Sequence, residues 1–457
     1  MNGFRICLIA LVITAVSLST ETASAENWPT YRHDVRRSGV TSESLAFPLR
    51  QSWVRRSPQA PQTAWTGPAK WDAYSGNSGL QSMRNFDPCF FVTAADDLVY
   101  FGSSVDDAVH ALDASGGTER WVHFTNSAVR FPPTIDRGRA YFGSDDGFVY
   151  CCDRQTGELI WKRCASPANR MVTSNRKIIS MWPVRTGVLV QDGKAIFGAS
   201  LVPWNDSYLW KVDCSDGSVE RDDCFQTVAE GVTLQGALLA SHDRIYVPQG
   251  RAAPLSFDLG DGKNLGAIGE AGGVFCVLTE DEMLLAGPQH QKETDSQMRI
   301  ADGRSRQRLA TFSGTNRILV DGDHAWIPSG GTLRMLVRSS YVQAQIEAAK
   351  HYAIFSDDKI TDTAIKQKAK VAYDAAQKQQ DQAWKWQVDC PAPSGLIKTA
   401  DAVIVGLDNE VRAFSAATGE LRWKHDVEGV AHGLAVAAGR LFVSTGRGHI
   451  YAFESAE

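Results

Sequence analysis

The chain has 457 residues, 43% of them hydrophobic and 22% charged, which places it among globular proteins and excludes a disordered or fibrous one. A formal net charge of −5 without a basic cluster argues against nucleic acid as a partner. Past the N-terminal leader no apolar run reaches bilayer-spanning length, so no transmembrane segment is expected in the mature chain.

Residues 1–25 read as a signal peptide: Arg5 supplies the positive charge, Ile6 to Leu18 the apolar core, and Ala23-Ser24-Ala25 the small-residue cleavage site. Cleavage near Ala25 predicts a periplasmic or secreted protein. Cys7 lies inside the apolar core rather than at its end, so no lipoprotein anchor is expected.

Beyond a short alternating segment, Gln51-Ser52-Trp53-Val54-Arg55, one phrase recurs. Tyr100-Phe101-Gly102-Ser103 leads to Asp113, Gly116-Gly117 and Trp121; Tyr141-Phe142-Gly143-Ser144 leads to Asp153, Thr156-Gly157 and Trp161; Ile404-Val405-Gly406 leads to Ser415, Thr418-Gly419 and Trp423. In each copy the Trp lies eight residues beyond the Asp or Ser. Repetition at fixed phase means repeated supersecondary units. Each reads as four short strands, with Asp opening a tight turn, Gly taking positive φ, and the indole wedging between neighbouring sheets. Such a ring buries on the order of 200 Å².

Anchors at Tyr100, Tyr141, Ile196, Tyr246, Leu285, Trp326, Ile404 and Phe442 mark eight units, most spaced near the roughly 40–45 residues of a four-stranded propeller blade. The units at Leu285 and Trp326 lack the Thr-Gly/Trp signature. The last unit stops at Glu454 without a Trp strand, and Gln51–Arg55 is expected to supply it, closing the ring and removing exposed sheet edges. The expected fold is all-β: one closed eight-bladed β-propeller over residues 26–457.

The 78 residues between Trp326 and Ile404 contain a foreign segment, 341–384, without Gly or Pro. Ile365, Ala369, Ala372, Ala376, Gln379 and Ala383 form one helical stripe. Val342, Ile346, Ala349 and Ala353 form another, before a turn and N-cap at Ser356-Asp357-Asp358. The expectation is a helical hairpin, either packed on the protein or serving as an arm for a protein partner or cell-envelope component.

Propellers bind ligands at the mouth of the central channel. The polar residues ahead of the innermost strands are Asp87, Arg130, Arg185, Gln235, Asn316, Ser394 and His432, with Trp182 as a stacking face. They are candidates either for holding an anionic or carboxylate-rich ligand through forked hydrogen bonds or for lining a solvated channel. The pairs Asp106-Asp107 and Asp145-Asp146 read as turn residues repeating in phase with the units rather than as paired catalytic acids. No compact histidine spacing, nucleophile elbow or phosphate loop appears, so no catalytic or metal-ligating residue is assigned. Eight cysteines follow the leader. Cys164 and Cys224 each lie three residues past the Trp position, which leaves open a cross-blade pair or buried thiols.

The Ala-Leu-Asp-x-x-Gly-Gly-x-x-x-Trp phrase at 111–121 and its variants resemble the tryptophan-docking repeat of quinoprotein dehydrogenases and of their non-catalytic BamB-like relatives. Trp28-Pro29-Thr30-Tyr31-Arg32-His33-Asp34 and Arg37-Ser38-Gly39 resemble the opening of exported bacterial PQQ-binding-like β-propeller repeat proteins. The resemblance implies two functions. The first is a non-catalytic binding or scaffold module without a cofactor. The alternative is an alcohol or sugar dehydrogenase using pyrroloquinoline quinone (PQQ) with calcium. Cys151-Cys152 invites comparison with the adjacent-cysteine ring of those enzymes, but the pair falls on packing positions of a strand, and no calcium-ligand trio can be placed.

Overall fold

The turn chemistry sets the geometry of each unit. Asp113 accepts the backbone N–H groups of Ser115 and Gly116 at 2.9 and 3.0 Å, and Asp153 those of Gln155 and Thr156 at 2.8 and 2.9 Å. Gly117, Gly157 and Gly419 then adopt φ of +69°, +73° and +75°, a region that strains any residue bearing a Cβ. The ladder slips by one residue directly after each turn, and that bulge aims Trp121, Trp161 and Trp423 at the neighbouring unit. These details come from a computed structural model describing residues 26–65, 85–250, 252–269, 272–291 and 295–456. The signal peptide read over 1–25 lies outside the described residues.

Six four-stranded antiparallel sheets occupy residues 92–124, 134–164, 189–229, 239–267, 275–313 and 319–389. A further sheet has seven strands, because Leu421–Ala437 pairs first with Asp408–Ser415 and then with Arg440–Thr445. Its outer edge is Leu49–Arg55, antiparallel to Ile450–Ser455, with Trp53 opposite Ala452. The chain's N-terminal strand thus completes its C-terminal unit. The architecture is all-β and propeller-like, with two helices.

Every anchor read from the sequence sits in the second strand of its unit, at one register. Tyr100 faces Ala111 and then Trp121; Tyr141 faces Cys151 and Trp161; Ile404 faces Ala413 and Trp423; Phe442 faces Ala452 and Trp53. The same position on the fourth strand holds Phe225, Gly266, Ala310 and Trp386 in the units anchored at Ile196, Tyr246, Leu285 and Trp326. The Trp of the unit at Trp326 is therefore present as Trp386. The helices separate it from its turn.

These residues act as wedges. The indoles of Trp121, Trp161 and Trp386 donate to the carbonyl oxygens of Arg154, Cys214 and Ala416 in the next unit at 3.0, 3.0 and 3.2 Å. A Cβ on Gly157, Gly217 or Gly419 would come within 2.8 Å of the matching ring, so glycine there admits the indole. Phe225 lies against Gly262 in the same manner, and at Gly266 the Arg306 guanidinium takes the place. At Ala310 nothing of the kind is present. An apolar groove of about 410 Å³ remains, bounded by Leu285, Ile300, Phe312, Ile327 and Ile346.

The helical insert lies between the third and fourth strands of the sixth unit. Helix α1 spans Arg338–Phe355 and helix α2 Thr363–Gln382. Asp362 caps α2 by accepting from the Ala364 and Ile365 N–H groups at 2.8 and 3.3 Å, displacing the cap expected at Ser356-Asp357-Asp358. The seam uses Ala344, Ala348, Ala369 and Ala376, whereas Val342, Ile346 and Ala349 of the expected stripe face the groove. The hairpin over 171–180 fills the long interval between the second and third units.

Candidate functional site

The residues ahead of the innermost strands split into three groups. Asp87, Arg130 and Arg185 meet in a buried ion-pair chain completed by Asp145. Arg130 donates to Asp87 Oδ2 at 2.5 Å and to Asp145 Oδ2 at 2.7 Å, and Arg185 donates to both Asp145 oxygens at 2.8 Å. All four side chains are buried. Burial pushes the Asp145 carboxyl up, but Arg130 and Arg185 together pull it below its usual range. For Asp87 burial wins, and its carboxyl is raised despite Arg130. Burial works against the Arg130 charge, yet the two carboxylates hold it more firmly than usual. The two arginines expected to face a ligand are thus engaged by internal carboxylates.

The phase that pairs Asp145 with Asp106 as turn residues is off by two positions counted from Gly102 and Gly143. Asp145 follows Ser144 directly, where the first unit has Ser104, so it points inward. Asp146 is the turn residue, accepting from the Phe148 N–H at 3.0 Å and the Tyr150 hydroxyl at 2.6 Å. Counting from Gly143 instead of from the acidic pair would have found it.

Gln235 joins this group through Trp65, whose indole donates to Gln235 Oε1 at 2.8 Å and whose ring lies 5.6 Å from the Arg185 guanidinium. Trp182 does not: its indole donates to the Asp206 carbonyl oxygen at 2.8 Å and it packs edge-on to Tyr208 within the third unit. Ser394 and His432 line a separate cavity of about 30 Å³ with Tyr31, Arg32, Phe275 and Arg317. Asn316 offers Arg317 its backbone carbonyl at 2.7 Å.

The opposite ends of the innermost strands are laced together by residues 26–48, a role that irregular backbone does not advertise. Trp28 exchanges backbone hydrogen bonds with Ala94 at 2.8 and 2.9 Å. The carbonyls of Pro29, Val35, Arg36 and Gly39 accept from Ile135, Ala240, Leu278 and Lys398 at 2.7 to 3.0 Å. Glu43 accepts from the Gly439 N–H. Arg37, fully buried, donates to Leu238 O at 2.8 Å and Thr30 Oγ1 at 2.7 Å. Tyr31 lies edge-on to Phe91 and Phe131, and Phe86 stacks on Phe131 at 5.4 Å.

A tricyclic quinone needs roughly 300 Å³ or more, far above the 30 Å³ of the cavity lined by Ser394 and His432. Among the described residues no group of three or more His, Cys, Asp or Glu could hold a metal ion. Cys151 and Cys152 face opposite sides of their strand, in different cores, and burial pushes both thiols up to about 12. The cavity lined by Ser394 and His432 and the thiols of Cys151 and Cys152 do not fit PQQ with calcium. All eight described cysteines are free, Cys164 and Cys224 included, and Cys224 stands one residue before the Trp-position Phe225 rather than three past it.

A family model described as outer membrane protein assembly factor BamB matches residues 62–267 and 407–457, more than half of the chain. Among solved structures, BamB from Moraxella catarrhalis aligns at 13% identity over 89% of this chain and 100% of its own, with a TM-score of 0.50. A europium-containing methanol dehydrogenase aligns at 10% identity over 94% and 98%, with a TM-score of 0.59. The quinohemoprotein alcohol dehydrogenase from Comamonas testosteroni aligns at 12% over 94% and 81%, also with a TM-score of 0.59. At such identities these likenesses speak for the fold alone. No curated protein sequence matches the chain.

Proposed function

The chain belongs to the family described as outer membrane protein assembly factor BamB, and from that premise we propose that it is an exported, non-catalytic propeller that binds protein partners in the cell envelope. We read the seven-stranded sheet as two blades sharing one long strand, so that residues 26–457 form one closed ring of eight blades. The Trp53 wedge on Gly117, joining last unit to first, supports that reading.

One observation carries the non-catalytic assignment: the central space is filled by the protein's own Tyr31, Phe86 and Phe131 and by the ion-paired Arg130 and Arg185. The helical arm is the proposed partner surface. Ile346, Tyr352, Ile365 and Val371 are all at least half exposed on it, more apolar area than an arm packed only on itself needs to show. No helix among the described residues is long and apolar enough to cross a membrane, and a periplasmic or secreted location accords with the family description.

The test is a pair of measurements on the purified protein. Titration with PQQ and calcium should produce no quinone absorbance and no dye-linked alcohol oxidation. Envelope pull-downs should recover partners with the intact chain and lose them when residues 338–382 are replaced by a short Gly-Ser linker. Stoichiometric quinone uptake with turnover would overturn the assignment in favour of a dehydrogenase.

A further inference from the structure

Among the described residues the cavity beside His432 is lined by two arginines, Arg32 and Arg317, and by no carboxylate. Arg32 and Arg317 both lie over the Phe275 ring, 4.8 and 4.6 Å from its centroid, both line the cavity, and the Arg317 charge bears on Arg32. Arg32 donates only to the carbonyls of Arg37, Leu396 and Ser38, and Arg317 through Nη1 to the carbonyl of Asn316. Among the described residues neither makes a salt bridge, and Nε and Nη2 of Arg317 have no hydrogen-bond partner. The nearby Arg37 is likewise satisfied by carbonyl and hydroxyl oxygens. Asp34, whose charge acts on Arg32 and Arg37, is engaged by the Arg36 and Ser38 N–H groups and the Ser38 hydroxyl.

Arg32 and Arg317 are half-buried, and two cations gathered on one ring with little water to screen them are costly unless something neutralises them. Burial lowers the hold of Arg32, Arg37 and Arg317 on their protons, and Arg317 also helps keep His432 neutral, yet the arginines remain charged at neutral pH. The cavity offers donors on several sides: the free nitrogens of Arg317, the Ser394 hydroxyl and the His432 ring. About 30 Å³ suits one chloride-sized ion or about two waters, since one water-sized probe needs ~10–15 Å³. Sulfate and phosphate are too large.

We propose that this cavity, between Arg32, Arg317, Ser394 and His432, binds one small inorganic anion of the halide class as a structural counterion. The site is distinct from the ion-pair chain around Asp145, and it does not depend on the partner-binding reading.

Two measurements on the full mature chain test it. In crystals grown with bromide, anomalous scattering should show one peak against Arg317 and His432. In solution, melting temperature at fixed ionic strength should rise by about 2 °C or more as gluconate is replaced by chloride, whereas any rise in sulfate, which comes from its exclusion from the surface, should be the same in Arg317→Gln. Arg317→Gln should abolish the chloride response, and Ser394→Ala should weaken it several-fold if the first variant folds poorly. Arg36→Gln, a surface arginine paired with Glu280, should keep it. Water alone in the cavity together with identical melting in chloride and gluconate overturns the proposal.

Discussion

The indole nitrogen of Trp53 donates to the carbonyl oxygen of Ala114 at 3.0 Å, so a strand that completes the last sheet is also the wedge that grips the first. Gly117 makes room for it: a Cβ there would come within 2.6 Å of the ring at a backbone φ of +69°. Trp53→Ala should cost about 3–5 kcal/mol of unfolding free energy, and Gly117→Ala about 1 kcal/mol or more. Denaturant unfolding of each variant checks both values.

Asp145 and Asp87 should respond unequally to neutralisation. Asp145→Asn leaves two buried guanidiniums without their shared carboxylate and should cost about 3–5 kcal/mol. Asp87→Asn should cost less, because burial already raises the Asp87 carboxyl toward its neutral form. Equal losses in chemical denaturation at pH 7 would contradict the difference drawn between them.

Stability should fall in two stages on acidification. Burial and the Arg317 charge hold His432 down at about 4. The unfolded chain therefore takes up that proton first, and the native state loses stability as pH falls from ~6.5 to about 4. His432→Gln should flatten this stage. Hydrogen bonds from Ser115 and Ser215 hold the Asp113 and Asp213 carboxyls at about 2. The stability they lend is present above ~3.9 and disappears as pH falls toward 2. Melting temperature followed from pH 7 to 2 separates the stages.

The groove beside Ala310 lacks the wedge that other junctions have. Ala310→Phe should fill part of it and stabilise the protein by about 0.5–2 kcal/mol, with reduced binding of an apolar fluorescent dye. The same change at Ala413, fully buried at the equivalent level of the third strand, should destabilise by overpacking. Thermal melting of the two variants decides.

The anchors and turns were readable because each obeys a local rule: Tyr100, Tyr141 and Ile404 recur at fixed distance from an Asp or Ser turn and a Trp. Trp386 escaped because two helices separate it from its own turn, and wedge recognition by spacing fails across an insert. The arm itself was legible from its lack of Gly and Pro, but its seam was not. Val342 and Ala344 are two positions apart, and only the presence of the groove decides which faces α2. At the centre, Arg130 and Arg185 were identified as inward-facing, whereas their partner Asp145 was hidden beside the similar Asp146. Tyr31, Arg32, Trp65 and Arg317 carry no periodic signal, since their placement depends on contacts with other units distant in sequence.

The lacing of residues 26–48 has a kinetic consequence. Glu43 leaves the ribosome and crosses any membrane well before Gly439, whose amide it will accept, and Trp28 precedes Ala94 by far less. This segment can therefore dock one end early but must idle with its remaining carbonyls in water until the tail arrives. A chain of such high contact order should assemble slowly. Nascent forms truncated before residue 439 should leave the stretch around Glu43 open to proteases that the finished molecule resists.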